Sequence, residues 1–442
     1  MNFKTWSYLF RYSMAKPGAL SQYRSSLQNQ FLSKEHLVDI VWKKTRKLVD
    51  NAYQNVPWYK SKLDAKNISP DRIHTETQFR EIPILTREEL ANNFQEFISN
   101  KIDAGDLKIS TTGGSTGHPL KIGMDPKTVR EVPKWQMLSW WGLSPLDNMA
   151  SIYRGLPEKG IKKAAWNFIR WPQKILHMDA TNITPDNIEL FLSEYSSIKP
   201  RLVHGYVGGI EAIAEYIIDN NIEIQSPKVV WTTAAPISKI QEEKISEAFK
   251  APVCDQYGCS ELYFIAAECP QKNGLHIFSD SVKVEILDDN NDPVPNGKYG
   301  KIVISNLNEY SFPLIRYENG DRGRLLKQKC SCGLSLPLMD KVKGRMSDNI
   351  ELPDDTILSG EYLTTIFDDY TDTVKQFQIV QHKRGDITVK VVPYKGSKTI
   401  SNVVKSVEME LQKRIQNQVD LNFKIVDHVQ QKRGKIQFII SE

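Results

Sequence analysis

Apolar residues recur along this 442-residue chain with two different periods, and the change from one to the other outlines an architecture. In HLVDIVWKKTRKLVDNAYQNV (36–56) they fall three and four apart, the spacing of one helix face, so the chain is expected to open helically. Further on, short apolar runs alternate with helical patterns: NMASIYRG (148–155), RLVHGYVGGIEAIAEYIIDN (201–220), KVVWTTAA (228–235) and QEEKISEAFK (241–250). Strand and helix in turn predict an α/β body with parallel sheet. From Ser281 the texture changes to VKVEILDD and GKIVISNL around a turn rich in Asn, Pro and Gly, two strands of a β-rich subdomain. Beyond Gly344 come a hairpin (376–394), a helix (399–416) and two closing strands, LNFKIVDHV and KIQFIISE. The expected fold class is α/β: a large N-terminal domain of several subdomains (1–344, with 281–343 β-rich) and a small α+β C-terminal domain (345–442).

Composition narrows the function classes. Lys and Arg number 58 against 53 Asp and Glu, a net charge of +5 with no concentrated basic block, which argues against a nucleic-acid partner and suits phosphate-bearing small molecules. The first residues, MNFKTWSYLFRYSMAKPGAL, mix Trp6, Leu9 and Phe10 with Lys4, Arg11 and Lys16 and lack a signal peptide's unbroken apolar core. Residues 1–35 are read as an arm docked on the body, with membrane-surface contact as the alternative. No stretch reaches the ~18 apolar residues of a membrane span, so a cytoplasmic protein is expected, and a homodimer is compatible with the sequence.

Three segments carry candidate chemistry. STTGGSTGHPLKI (110–122) follows a strand-like LKI. Gly113, Gly114 and Gly117 let backbone N–H groups approach phosphate oxygens, and the hydroxyls of Ser110, Thr111, Thr112, Ser115 and Thr116 add donors. It is not a Walker A loop, because His118 and Pro119 follow Gly117 where Lys and Ser or Thr would be required. A plain surface loop is the alternative. In DQYGCSEL (255–262), an exposed Tyr257 beside Gly258 would stack on a purine, and Glu261 offers a hard oxygen suited to Mg²⁺, although an isolated Glu is more often solvated. In FPLIRYENGDRGRL (312–325), Asp321 is read in a glycine-flanked turn, where a carboxylate can accept both ribose hydroxyls.

With KGRMSDNI (343–350) and RGKIQFII (433–440), these segments in their order resemble the adenylate-forming superfamily of acyl-CoA synthetases, luciferases and nonribosomal adenylation domains. Within it, the likeness is to phenylacetate–CoA ligase and the CapK-like proteins of capsular polysaccharide clusters, from about residue 35 onward. The resemblance implies a large ATP-binding domain and a small lid that swings between two half-reactions, with ATP, Mg²⁺ and coenzyme A as cofactor and substrates. It assigns Ser110–Gly117 to the ATP phosphates, Ala234, Ala235 and Pro236 to the adenine, Tyr257 to stacking on it and Glu261 to Mg²⁺. It also assigns Asp321 to the ribose, Arg345 to the nucleotide beside it, and Lys435 to adenylation from the lid. Two departures stand out: His118 replaces a frequent Lys in the loop, and Ser347, with Asp348 next to it, occupies the hinge position.

The expected activity is activation of a carboxylic acid to acyl-AMP and transfer to coenzyme A. The alternatives are an acyl- or aminoacyl-AMP ligase delivering to a sugar amine or carrier, and a degenerate nucleotide-binding scaffold. The acid pocket is expected to draw on Trp140, Trp141, Tyr153, His204, Gly205 and Tyr206, residue types that equally build cores. Of five cysteines, Cys269 with His276 in ECPQKNGLHI and Cys330 with Cys332 in KCSCG form a Cys₃His donor set matching structural zinc, with simple thiols as the alternative. Cys254 and Cys259 are read as packing residues.

Overall fold

Gly18, with φ of 84°, breaks the first helical run into α1 (Phe3–Ala15) and α2 (Ala19–Asn29), because this left-handed turn is open to a residue without Cβ. This is a computed structural model. It describes residues 3–112, 120–153, 160–180, 182–235, 237, 239–342, 350–354, 357, 358, 363, 366, 367, 370, 373–394, 399–415, 418–432, 435, 436 and 438–441. α3 (Lys34–Asn55) starts where the Ser33 hydroxyl accepts the His36 N–H, and Pro57 opens α4 (Pro57–Ala65) at a position whose N–H would be unpaired anyway. Capping boxes, Thr75 with Gln78 and Thr86 with Glu89, start α5 (Glu76–Arg80) and α6 (Arg87–Asn92). Tyr59 of α4 donates to the Pro313 carbonyl at 3.2 Å and receives the Ile315 N–H at 2.8 Å, tying these helices to the segment that leads to Asp321.

After the hairpin β1 (Lys108–Thr112) and β2 (Leu120–Met124) comes α7 (Val132–Trp140). The central sheet then alternates strand and helix: β3 (Met149–Tyr153), α8 (Gly160–Arg170), β4 (Ile175–Asp179), α9 (Pro185–Ile198), β5 (Leu202–Tyr206), α10 (Val207–Asp219), β6 (Val229–Thr233), α11 (Lys239–Phe249), β7 (Val253–Tyr257), β8 (Ala266–Glu268) and β9 (Leu275–Ile277). With β13 (Leu338–Met339) the order is β13-β9-β8-β7-β6-β5-β3-β4, parallel from β4 to β7 and antiparallel from β7 to β13. Alternate residues face opposite sides of a strand. Met149, Leu202, Val229 and Trp231 therefore pack under α1, α2 and α7, whereas Ala150, Ile152, Val203 and Val230 pack under α9, α10 and α11.

β10 (Val282–Leu287), β11 (Gly300–Asn306) and β12 (Tyr317–Gly323) form an antiparallel sheet. Between the pairs Val303↔Glu318 and Lys301↔Arg322, β12 carries two residues more than β11. The excess bulges at Asn319–Asp321 with Gly320 at φ 85°, so Asp321 stands on a bulged strand rather than in a free turn.

The C-terminal residues form the hairpin β14 (Ile350–Glu351) and β15 (Ile357–Leu358), then β16 (Val374–Lys383), β17 (Asp386–Pro393), α12 (Ile400–Ile415), β18 (Asp420–Ile425), β19 (Gln431–Lys432), β20 (Lys435–Ile436) and β21 (Ile439–Ser441). β18-β17-β16-β21 make one sheet, and Val403, Val407, Leu411 and Ile415 of α12 close a core of its own over it. The expected single strand KIQFIISE is two: β20 pairs back on β19, and β21 runs parallel to β16. No described helix is long and apolar enough to cross a membrane.

Candidate active site and metal centre

β3, β5, β6 and β7 end at Tyr153, Tyr206, Thr233 and Tyr257, which brings the expected adenine, aromatic and pocket residues to the carboxyl edge of one parallel sheet. In open α/β sheets that edge is where ligands bind. Ala234, just past β6, holds φ 75°. Gly205 lies so close to β3 that a Cβ would stand 2.2 Å from the Ile152 carbonyl oxygen, and a Cβ on Gly258 would stand 1.7 Å from that of Tyr263. Both positions therefore need glycine for close backbone approach.

Tyr257 is buried, which corrects the expectation of an exposed platform. Its hydroxyl donates to Asp321 Oδ2 at 2.7 Å and accepts from Asn319 Nδ2 at 2.6 Å, while Asn319 Nδ2 also lies 2.9 Å from Asp321 Oδ2. Burial, reinforced by the Asp321 charge, holds the phenol well above its ordinary pKa, so it remains a donor to that carboxylate. Glu261 is buried as well, not solvated; Tyr317 donates to its Oε1 at 3.2 Å and an Arg87 guanidinium nitrogen lies 3.7 Å away. A buried carboxylate oxygen of this kind fits Mg²⁺, which takes one or two protein carboxylates and completes its shell with water and phosphate.

Ser110, Thr111 and Thr112 lie on β1, and the hairpin tip Gly113–Pro119, with Gly114, Ser115, Thr116, Gly117 and His118, lies outside the described residues. So do Pro236, Arg345, Ser347, Asp348 and the Lys435 side chain; Ala235 follows Ala234 and Lys435 pairs with Lys432 across the β19–β20 turn.

In the pocket set, Tyr153, His204 and Tyr206 come together: the Tyr153 hydroxyl lies 3.2 Å from His204 Nδ1, and the Tyr153 ring meets those of His204 and Tyr206 edge-on at 5.1 and 5.0 Å. Trp140 instead stacks on Phe278 at 5.3 Å, meets His276 edge-on and donates to Gln30, and Trp141 is buried in the core under α7. The sequence reading passed over Lys134 and Trp231. Trp231 pairs in register with His204, and among the described residues both Trp231 Nε1 and His204 Nε2 are buried without an acceptor. Lys134 of α7 donates to Met149 Sδ at 3.1 Å and, among the described residues, has no carboxylate of its own, since the nearby Glu131 binds Lys16 at 2.9 Å. Burial, with the Arg170 charge, brings Lys134 down to about 8. Burial and then the Lys134 charge hold His204 well below the ordinary imidazole value, so it is neutral. A lysine among apolar and aromatic neighbours in VPKWQML was the available signal.

Cys269, His276, Cys330 and Cys332 converge because β8, β9 and β13 are neighbours in the sheet. Their ligating atoms all lie within 4.8 Å of one another; Cys269 and Cys330 sulfurs are 3.5 Å apart and Cys332 Sγ lies 3.3 Å from His276 Nε2. A tetrahedral zinc with sulfur at about 2.3 Å separates its ligands by about 3.7 Å, so the set fits that ion. A disulfide does not fit 3.5 Å. The other ring nitrogen of His276 lies 3.4 Å from the Leu336 carbonyl, an outer contact that would leave Nε2 to face a metal. Cys254 is buried and donates to the Glu268 carbonyl, and Cys259 packs partly buried at the core.

A family model described as the CapK C-terminal domain matches residues 350–442. Protein CapK of Staphylococcus aureus is 22% identical over 410 residues, 88% of this chain and 85% of that protein. A phenylacetate–coenzyme A ligase of Thermus thermophilus is 22% identical over 366 residues, 80% of each chain. Over most of its length the chain is therefore similar to CapK and the phenylacetate–coenzyme A ligases. Its fold is shared with a solved 2-hydroxyisobutyryl-CoA ligase in its postadenylation state with 2-HIB-AMP, at a TM-score of 0.74 and 16% identity over 94% of this chain and 91% of that one. The same ligase in its thioesterification state gives a TM-score of 0.63.

Proposed function

We propose that this protein activates a carboxylic acid with ATP and passes the acyl group to the thiol of coenzyme A. The observation that carries the reading is the convergence of Tyr257, Asn319, Asp321 and Glu261 with the ends of β3, β5 and β6 at one sheet edge. A carboxylate is a poor electrophile. Attack of its oxygen on the α-phosphorus of ATP displaces pyrophosphate and leaves an acyl-AMP, whose carbonyl a thiolate then attacks with AMP leaving. Asp321, oriented by Tyr257 and Asn319, would accept the ribose hydroxyls, and Glu261 would hold Mg²⁺, which supplies charge neutralisation at the phosphates. Lys435 would add a cation during adenylation. Transfer of the acyl group to a sugar amine or carrier instead is favoured by one finding, the CapK C-terminal match over 350–442.

The pocket refines the acid. His204 Nε2 and Trp231 Nε1 have no partner among the described residues and Lys134 has only the weak acceptor Met149 Sδ, so we read the substrate as an acid with a second anionic or carbonyl group away from the reacting carboxylate. Acid-dependent pyrophosphate release, measured with matched acids that have or lack a distal carboxylate, tests both parts. The doubly acidic members should be preferred, and Lys134→Met should abolish the preference while keeping activity on the plain acids. Absence of release with every acid would sink the ligase reading; release without preference would sink only the pocket reading.

A further inference from the structure

α1 is apolar on both sides. Thr5, Tyr8, Leu9 and Tyr12 point inward, where Tyr8 and Tyr12 pack edge-on against Trp135 of α7. On the opposite side Phe3, Trp6, Phe10 and Met14 recur at helical spacing and face outward, Phe3 being 80% and Met14 77% exposed. Phe3, Trp6 and Phe10 stack on one another at 6.2 and 5.3 Å, which makes the ridge one continuous aromatic surface. The neighbouring α8 extends it: Phe168 is 71% exposed, and Trp171, 66% exposed, receives the Arg11 guanidinium over its ring at 5.8 Å. Contiguous exposed aromatics of this size mark an interaction surface.

Charge identifies the partner. Residues 1–33 hold four Lys or Arg, of which Lys16 is buried against Glu131, and no Asp or Glu, and residues 159–178 hold five and none, in a chain whose two signs are nearly balanced at 58 and 53. Lys4 and Lys174 are exposed, and Arg11 and Arg170 lie half-buried among the aromatics. A second copy docked symmetrically would set these cations against their own equivalents. An anionic lipid surface meets both features at once, because aromatic and aliphatic side chains enter the interface while lysine and arginine reach phosphate headgroups. We propose that the α1–α8 face docks this protein on anionic membranes as a peripheral, non-spanning contact.

Co-sedimentation of the full chain with vesicles decides it. Vesicles of phosphatidylcholine containing a third phosphatidylglycerol should bind the protein at least about tenfold better than phosphatidylcholine alone, with the difference lost at high salt. Phe10→Ser with Phe168→Ser should reduce binding about tenfold or more, and Lys4→Glu with Lys174→Glu should remove the anionic preference. All four side chains are exposed or close to it, so thermal unfolding should stay as in the wild type. No binding to either vesicle overturns the proposal, as does undiminished binding by both variants. A concentration-dependent dimer that the Phe10→Ser, Phe168→Ser variant dissociates, without vesicle binding, would assign the face to self-association instead.

Discussion

Asp255, two positions before Tyr257 on β7, carries a carboxyl that burial raises to about 7, with Lys341 opposing that shift and Glu268 adding to it. Its folded value exceeds the ordinary carboxylate value, so its contribution to stability is fully present at acid pH and lost as pH rises through 7. Asp255→Asn removes that loss. Urea unfolding should show the variant gaining on the wild type between pH 5 and pH 8 by on the order of 2 kcal/mol; an unchanged difference between the two pH values would show that Asp255 titrates normally. Single residues of this kind were only half legible in the sequence. Tyr257 and Asp321 could be picked out by motif, but their partnership joins residues 64 positions apart, and nothing local to DQYGCSEL announces that the tyrosine is buried. Lys134 sits in no motif, and only the sheet register, which places Met149 beneath it and sets Trp231 beside His204, gives it a role.

At the scale of elements, the helix expected over 36–56 appears as α3, and the alternating runs appear as β3, β5, β6 and their helices, because each buries a face whose period is written in the sequence. Departures arise where pairing is non-local. KIQFIISE reads as one strand, yet its first residues turn back on β19 and its last join β16 more than fifty positions earlier. Asp321 reads as a turn residue because its flanking glycines serve a bulge against β11. The Cys₃His set is an element-scale device of the same sort: β13 returns to the edge of the sheet beside β9 and delivers Cys330 and Cys332 to Cys269 and His276. Protein purified without chelator should carry close to one zinc. Cys330→Ser with Cys332→Ser should release it and lower the thermal midpoint, because a structural ion's binding energy is folding energy. Elemental analysis finding no zinc in the wild-type protein would end that assignment.

At the scale of the whole molecule, the C-terminal sheet and α12 have their own apolar core, while polar contacts join them to the body: Lys375 lies 2.7 Å from Glu215, which also binds Lys244, and Lys244 lies over the Tyr394 ring at 4.7 Å. Partly exposed ion pairs are each worth only about 0.2–1 kcal/mol, so this attachment can be exchanged for another at little cost. A unit that keeps its core while changing its contacts suits a reaction of two steps. On the proposed reading, the β19–β20 hairpin that carries Lys435 would act in the first step and not in the second. A cation placed on developing charge lowers a barrier by a few kcal/mol, so Lys435→Ala should slow pyrophosphate release by roughly 10²–10³. If Lys435 acts in this way, it would have no further charge to neutralise once acyl-AMP has formed, and thioester formation from supplied acyl-AMP and coenzyme A should run at nearly the wild-type rate. Single-turnover measurement of each step in the variant separates the readings: equal losses in both steps would mean the substitution disturbs the fold or a shared site, and no loss in either would remove Lys435 from the chemistry.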